Sequence, residues 1–257
     1  MSIVVFDSGM GGITVLREAM RFLSGQEFLY YADTGHVPYG ERTAEQVRKL
    51  VRRAVDQILQ RGEPRALVVA CNTATSVAIE DLRRSYSFPV IGMEPAVKPA
   101  LEHEKVNGRR VLVLATALSL SQQKYSDLVS RLNGDGLVDS LSLPGLVDFV
   151  EKEEFSSEQV KNYLQEAFFE LKRDDYGTVV LGCTHFPFFR REIGSFFSPH
   201  VDVIDGNRGT VLQLIRRLGP VKKKISGEGT VEFMSSGDYE ADLDKFRRLL
   251  VRYQGSR

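Results

Sequence analysis

The stretch "ALVVACNTAT", residues 66–75, decides the fold. Five small or branched apolar residues run into Cys71, and the chain then turns polar. Nearly the same grammar returns at "TVVLGCTHFP", residues 178–187. A short continuous apolar run reads as a strand covered on both faces, which is the signature of a parallel sheet. The two stretches hold the only two cysteines among 257 residues.

Working outward, "SIVVF", "EFLYYA", "PVIG", "RVLVLA" and "VDVID" read as further strands, with amphipathic stretches between them. Val47, Leu50, Val51, Ala54, Val55, Ile58 and Leu59 fall on one face of a helix. Thr43 with Gln46 three residues on makes a capping box at its start, and Gly62 suits its end. After Ser156, a second such face carries Val160, Leu164, Ala167, Phe168 and Leu171. Strand and helix in alternation make an α/β fold. A weak internal repeat accompanies it. Asp7 and Thr116 each close a strand 109 residues apart, and Cys71 and Cys183 do so 112 apart. Two similar halves, each with a reactive residue at a strand's carboxyl end, would face one ligand site.

Lys+Arg and Asp+Glu both number 34, so the formal net charge is zero. Nucleic-acid binding, which shows as a basic excess, is not expected. Lys222 to Lys224 read as a short solvated run. No stretch is long and apolar enough for a bilayer, and the start lacks a signal-peptide pattern. No membrane association and a cytoplasmic location are expected, where two lone thiols stay reduced.

Four roles compete for the cysteines. Burial as small apolar residues is the plainest. A disulfide does not suit the cytoplasm. Cys183 and His185 are close in sequence, yet four scattered histidines and no C-x-x-C make a poor metal set, so no metal is expected. Catalysis gains from the neighbours. Asn72 and Thr73 follow Cys71, Thr184 and His185 follow Cys183, and helices are expected after both, so each thiol would sit near exposed N–H groups that favour an anion. Two thiols suit inversion at carbon, in which one takes a proton from one face while the other returns one to the opposite face. Acyl transfer would need only one. In "FDSGMGG", residues 6–12, the glycine spacing does not fit a dinucleotide loop. Asp7 there could orient an ammonium group or assist a thiol. "HVPYGE", residues 36–41, reads as a turn around Tyr39.

"FDSGMGG", "PYGE", "ACNTAT" and "GCTH", in that order along nearly the whole chain, resemble the cofactor-independent glutamate racemases of the aspartate/glutamate racemase superfamily. The resemblance implies two pseudo-symmetric α/β domains, residues 1–95 with 207–257 and residues 96–206, with the active site in the cleft between them. It implies Cys71 and Cys183 as the two acid/bases, Cys71 acting on D-glutamate and Cys183 on L-glutamate. Asp7, His185 and Glu151 would assist them. Substrate contacts would come from Asp7, Ser8, Tyr39, Gly40, Asn72, Thr73, Thr184 and His185. It further implies no cofactor, D-glutamate destined for peptidoglycan, and relatives that often pair as homodimers. The chain departs from the family pattern at Leu143, where a cysteine is usual, at Asp148, where a proline is, and at Ser119, where a threonine is common. A racemase of aspartate or another amino acid, and a non-catalytic amino-acid-binding protein, are the alternatives. A one-thiol decarboxylase is disfavoured because both cysteines are present.

Overall fold

The computed structural model describes residues 1–93, 95–132, 134, 136–220 and 229–253. The lysine run at 222–224 lies outside them. Nine strands are described: β1 (Ile3–Asp7), β2 (Phe28–Ala32), β3 (Ala66–Val69), β4 (Val90–Gly92), β5 (Arg110–Ala115), β6 (Val138–Ser142), β7 (Tyr176–Leu181), β8 (Asp202–Asp205) and β9 (Val231–Ser235). They form two sheets, ordered β4-β3-β1-β2-β9 and β6-β5-β7-β8. Every pairing is parallel.

Read outward from β1 and β5, the two orders correspond strand for strand. β3 and β7 flank on one side, β4 and β8 lie beyond them, and β2 and β6 flank on the other. The residues that marked the repeat in sequence, Asp7 with Thr116 and Cys71 with Cys183, stand at or just past matching strand ends. β9 is the one extra strand of the first sheet.

All seven expected strands are present. β6 and β9 went unread, and the reason is physical. Both are edge strands, half-buried along most of their length, with the sequences "VDSLS" and "VEFMS". An edge strand needs no continuous apolar run. The helix Ala44–Leu59 carries the expected capping box: Gln46 N–H donates to Thr43 Oγ1 at 3.2 Å and Thr43 N–H to Gln46 Oε1 at 2.9 Å. The second expected helix runs only over Ser157–Ala167, and Phe168, fully buried, is its C-cap rather than part of its face.

One hydrophobic core runs on from the first sheet into the second, from Ile3, Val5 and Val68 to Leu112, Val179 and Leu181. The C-terminal helix Tyr239–Arg252 seals it. Phe246 stacks on Phe233 at 5.3 Å and meets Tyr30 edge-on at 5.2 Å. Among the described residues, no helix is long and apolar enough to cross a membrane.

Candidate active site

Both cysteines are free and buried, 5% and 7% exposed, and both line one cavity. Ser8, Tyr39, Gly40, Asn72, Thr73, Thr184 and His185 line it with them. The cavity therefore gathers strand-end residues from both sheets. Its free volume is about 20 Å³, room for about one water. An amino acid would enter only if the two walls part.

The two sulfurs are held differently. Cys71 is the N-cap of the helix Asn72–Ser85, and its Sγ accepts Ala74 N–H and Ser8 Oγ–H, each at 3.4 Å. Cys183 is followed by a tight turn over Phe186–Phe189, and the expected helix begins only at Arg190, as the five-residue Arg190–Gly194. In place of a helix terminus it has the His185 imidazole, with Nδ1 3.6 Å from Sγ.

Asp7 and Glu151 do not line the cavity; each stands behind its wall. Fully buried Asp7 accepts Gly9 N–H at 3.0 Å and Thr184 Oγ1–H at 3.2 Å. Glu151 ends the helix Gly145–Glu151, and its Oε1 lies 2.6 Å from His185 Nε2 and 2.7 Å from Met10 N. The Thr184–Asp7 and Met10–Glu151 bonds join the loop after β1 to the second sheet's side. Gly9 and Gly11 allow this approach, since a side chain at either would run into Glu151, or into His185 and Thr184.

The sequence model of the Asp/Glu/Hydantoin racemase family matches residues 13–214, a span that includes both cysteines. This chain belongs to that family. It is 48% identical to a glutamate racemase of Halothermothrix orenii, over 97% of this chain and 99% of that one. It is 44% identical to glutamate racemase 2 of Bacillus subtilis, over 97% and 95%. Its fold is similar to the crystal structure of Escherichia coli glutamate racemase in complex with L-glutamate and the activator UDP-MurNAc-ala. That likeness has a TM-score of 0.81 at 27% identity and covers 99% of this chain and 96% of that one.

Around this cavity, charge is arranged unevenly. Burial, with Asp7 nearby, pushes the Cys71 thiol up to about 12, against the pull of Ser8 and Ala74. Burial also lifts Asp7 to about 6, although His185 and the Gly9 N–H draw it down. Burial works against charge on His185, yet its hydrogen bonds to Cys183 and Glu151 prevail and hold the imidazolium well above the usual histidine range.

The cavity wall also contains three residues that the sequence reading passed over: Pro38, Thr116 and Val147. Thr116 is the informative one. Its Oγ1 lies 2.9 Å from Thr73 Oγ1 and donates to Ser119 Oγ at 2.9 Å, tying a strand end of one sheet to a helix start of the other. Its place as the repeat partner of Asp7 was the signal. Asp33 was missed as well. It accepts Tyr39 Oη–H at 2.5 Å and lies 2.8 Å from His36 Nδ1, fixing the ring that forms part of the wall. Nothing in "ADTG" sets that aspartate apart. Asn72 Nδ2 is buried without a hydrogen-bond partner. A buried amide donor left unpaired is costly and marks a place for a ligand acceptor.

Proposed function

We propose that this chain interconverts L- and D-glutamate by proton transfer at the α-carbon between Cys71 and Cys183. The observation that carries this reading is that two free, buried thiols from opposite sheets line one cavity. Identity to glutamate racemases over nearly the full length supports the choice of substrate.

In the L-to-D direction, Cys183 as thiolate takes the α-proton. The carbon–hydrogen electron pair moves toward the substrate carboxylate, and Cys71 gives its proton to the opposite face. The S–H of Cys71, kept protonated by burial, suits the donor's part. His185, charged and 3.6 Å from Cys183, is the cation that a thiolate base needs beside it. In the reverse direction the two thiols exchange roles, and the substrate ammonium arriving near Asp7 works against the high value of Cys71.

The α-proton of an amino acid is far less acidic than a thiol, so developing charge on the carboxylate must be met by fixed donors. The unpaired Asn72 amide is the donor already free for this, and we assign the hydroxyls of Ser8, Thr73 and Thr184 to join it by turning from Cys71, Thr116 and Asp7. In a closed, water-poor cleft, such groups act more strongly than in water. Both proton transfers use side chains of the chain itself, so the reaction as proposed runs without metal or pyridoxal phosphate.

Residues 1–95 with 207–257 and residues 96–206 are proposed as the two domains that part to admit substrate. A cytoplasmic location, D-glutamate supplied to peptidoglycan, and a homodimer complete the proposal.

The test is circular dichroism on L-glutamate with no added cofactor, run in deuterated water. The optical signal should decay to zero, and the D-glutamate formed should carry solvent deuterium at Cα. Tight glutamate binding with an unchanged signal over hours would overturn the enzymatic reading. Faster inversion of aspartate than of glutamate would overturn the substrate.

A further inference from the structure

The carboxylate of Glu151 is held in front by Met10 and His185. Its backbone is held from behind by the C-terminal helix. Lys245 Nζ donates to the Glu151 carbonyl at 3.1 Å, at the end of the helix Gly145–Glu151, where a cation is favoured. Two residues further on, Arg248 makes a two-pronged pair with Glu153, Nε to Oε1 at 2.9 Å and Nη2 to Oε2 at 2.6 Å. Arg252 lies 3.9 Å above the centre of the Phe155 ring, a cation–π contact. Residues 245, 248 and 252 share one helix face, and that face grips the turn after Glu151. Glu153 sits there at φ +57°, a left-handed conformation unusual for glutamate. Its carboxylate takes both prongs of Arg248, and the charges of Lys245 and Arg252 also draw on it.

An exposed ion pair adds little to fold stability, and Arg248 is 57% exposed. The grip therefore contributes more through where it puts Glu151 than through folding energy. A carboxylate 2.6 Å from an imidazole is sensitive to shifts of a few tenths of an ångström.

We propose that Arg248 and Lys245 are positioning residues for the racemisation: by gripping the Glu151–Glu153 turn, they aim the Glu151 carboxylate at His185 and, through it, at Cys183. This rests on the site reading given under the proposed function. Neither residue lines the cavity, so both act through Glu151.

The experiment compares Arg248→Ala, Lys245→Met, Glu151→Gln and the Arg248→Ala/Glu151→Gln double variant. Arg248→Ala should lower kcat about tenfold, because small misplacements at a site carry large rate penalties, with the melting temperature unchanged and KM altered by less than about twofold. In the Glu151→Gln background it should add no further loss, since a residue acting only through Glu151 has nothing left to position. Arg248→Lys should recover part of the rate, and Arg248→Glu combined with Glu153→Arg should exceed either single change. Wild-type kcat in Arg248→Ala beside an impaired Glu151→Gln would overturn the inference, as would losses that multiply in the double variant.

A second measurement does not depend on turnover. The ¹⁵N resonances of the His185 ring, set by its bond to Glu151, should move in Arg248→Ala, and unchanged resonances would overturn the inference. If the wild type leaves glutamate untouched, the proposed reaction fails, and this NMR comparison still decides whether Arg248 positions Glu151.

Discussion

Gly11, in the loop after the first strand, lies so close to the imidazole of His185 that a methyl group on its Cα would fall inside the 3.0 Å that real Cβ contacts keep from Nδ1. The obstacle would be a fully packed ring wedged between Cys183 and Glu151, with no room to retreat. Gly11→Ala should therefore displace His185. Racemisation is expected to fall on the order of 100-fold, and overpacking should lower stability by about 1–3 kcal/mol. Activity assays beside thermal melts check both. Near-normal turnover would mean that the orientation of His185 is not critical.

The two-thiol arrangement also predicts what each half does alone. With Cys71 replaced by alanine, Cys183 can still reach the α-proton of L-glutamate, but no acid stands on the opposite face. The Cys71→Ala protein should wash deuterium into L-glutamate with retention and leave D-glutamate unlabelled. Cys183→Ala should do the reverse. Proton NMR of the Cα–H signal in deuterated water reads this directly. Exchange of the same enantiomer in both variants would show that the thiols do not divide the two faces between them.

Much of this site was legible because central strands announce themselves. "ALVVA" and "TVVLG" are covered on both faces, so every position is apolar, and the polar residue that breaks each run marks a strand end. The Asp7/Thr116 and Cys71/Cys183 offsets then carried the symmetry seen in the two strand orders. The edge strands β6 and β9 lacked that pattern. The helix expected after Pro187 is present but short, Arg190–Gly194, and a tight turn over Phe186–Phe189 sets it back from Cys183. The link from Glu151 back to Met10 spans 141 positions, and no local pattern encodes it.

Thr116 yields a prediction of its own. Its hydroxyl joins Thr73 at 2.9 Å and Ser119 at 2.9 Å on the cavity wall. A carboxylate arriving between the sheets would compete for the same donors. Thr116→Val keeps the shape and removes the donor. Hydrogen bonds to charged groups contribute about 1.5–3 kcal/mol, so KM should rise roughly ten- to hundredfold, with a smaller change in kcat. An unchanged KM would leave Thr116 as a tie between the two sheets and nothing more.

Asp7 sets opposite demands on activity and stability. Burial lifts its carboxyl from 3.8 to about 6, with His185 and the Gly9 N–H resisting. If the ionised form serves the substrate ammonium, kcat/KM should fall as pH drops through about 6, since that ratio reports the free enzyme. For stability the sign is reversed. A carboxyl whose folded value lies above its unfolded one favours the native state when protonated, so its contribution is intact at low pH and is lost as pH rises toward 6. Above that, the ionised Asp7 costs about 3 kcal/mol for a shift of this size. Asp7→Asn should therefore lose activity and the acidic limb of the pH profile, yet melt several degrees higher at about pH 7.5. That gain should fade as pH falls from about 6 to about 4. A melting series across this range decides it. An asparagine variant that melts no higher than wild type at neutral pH would show that the buried carboxylate carries no such cost.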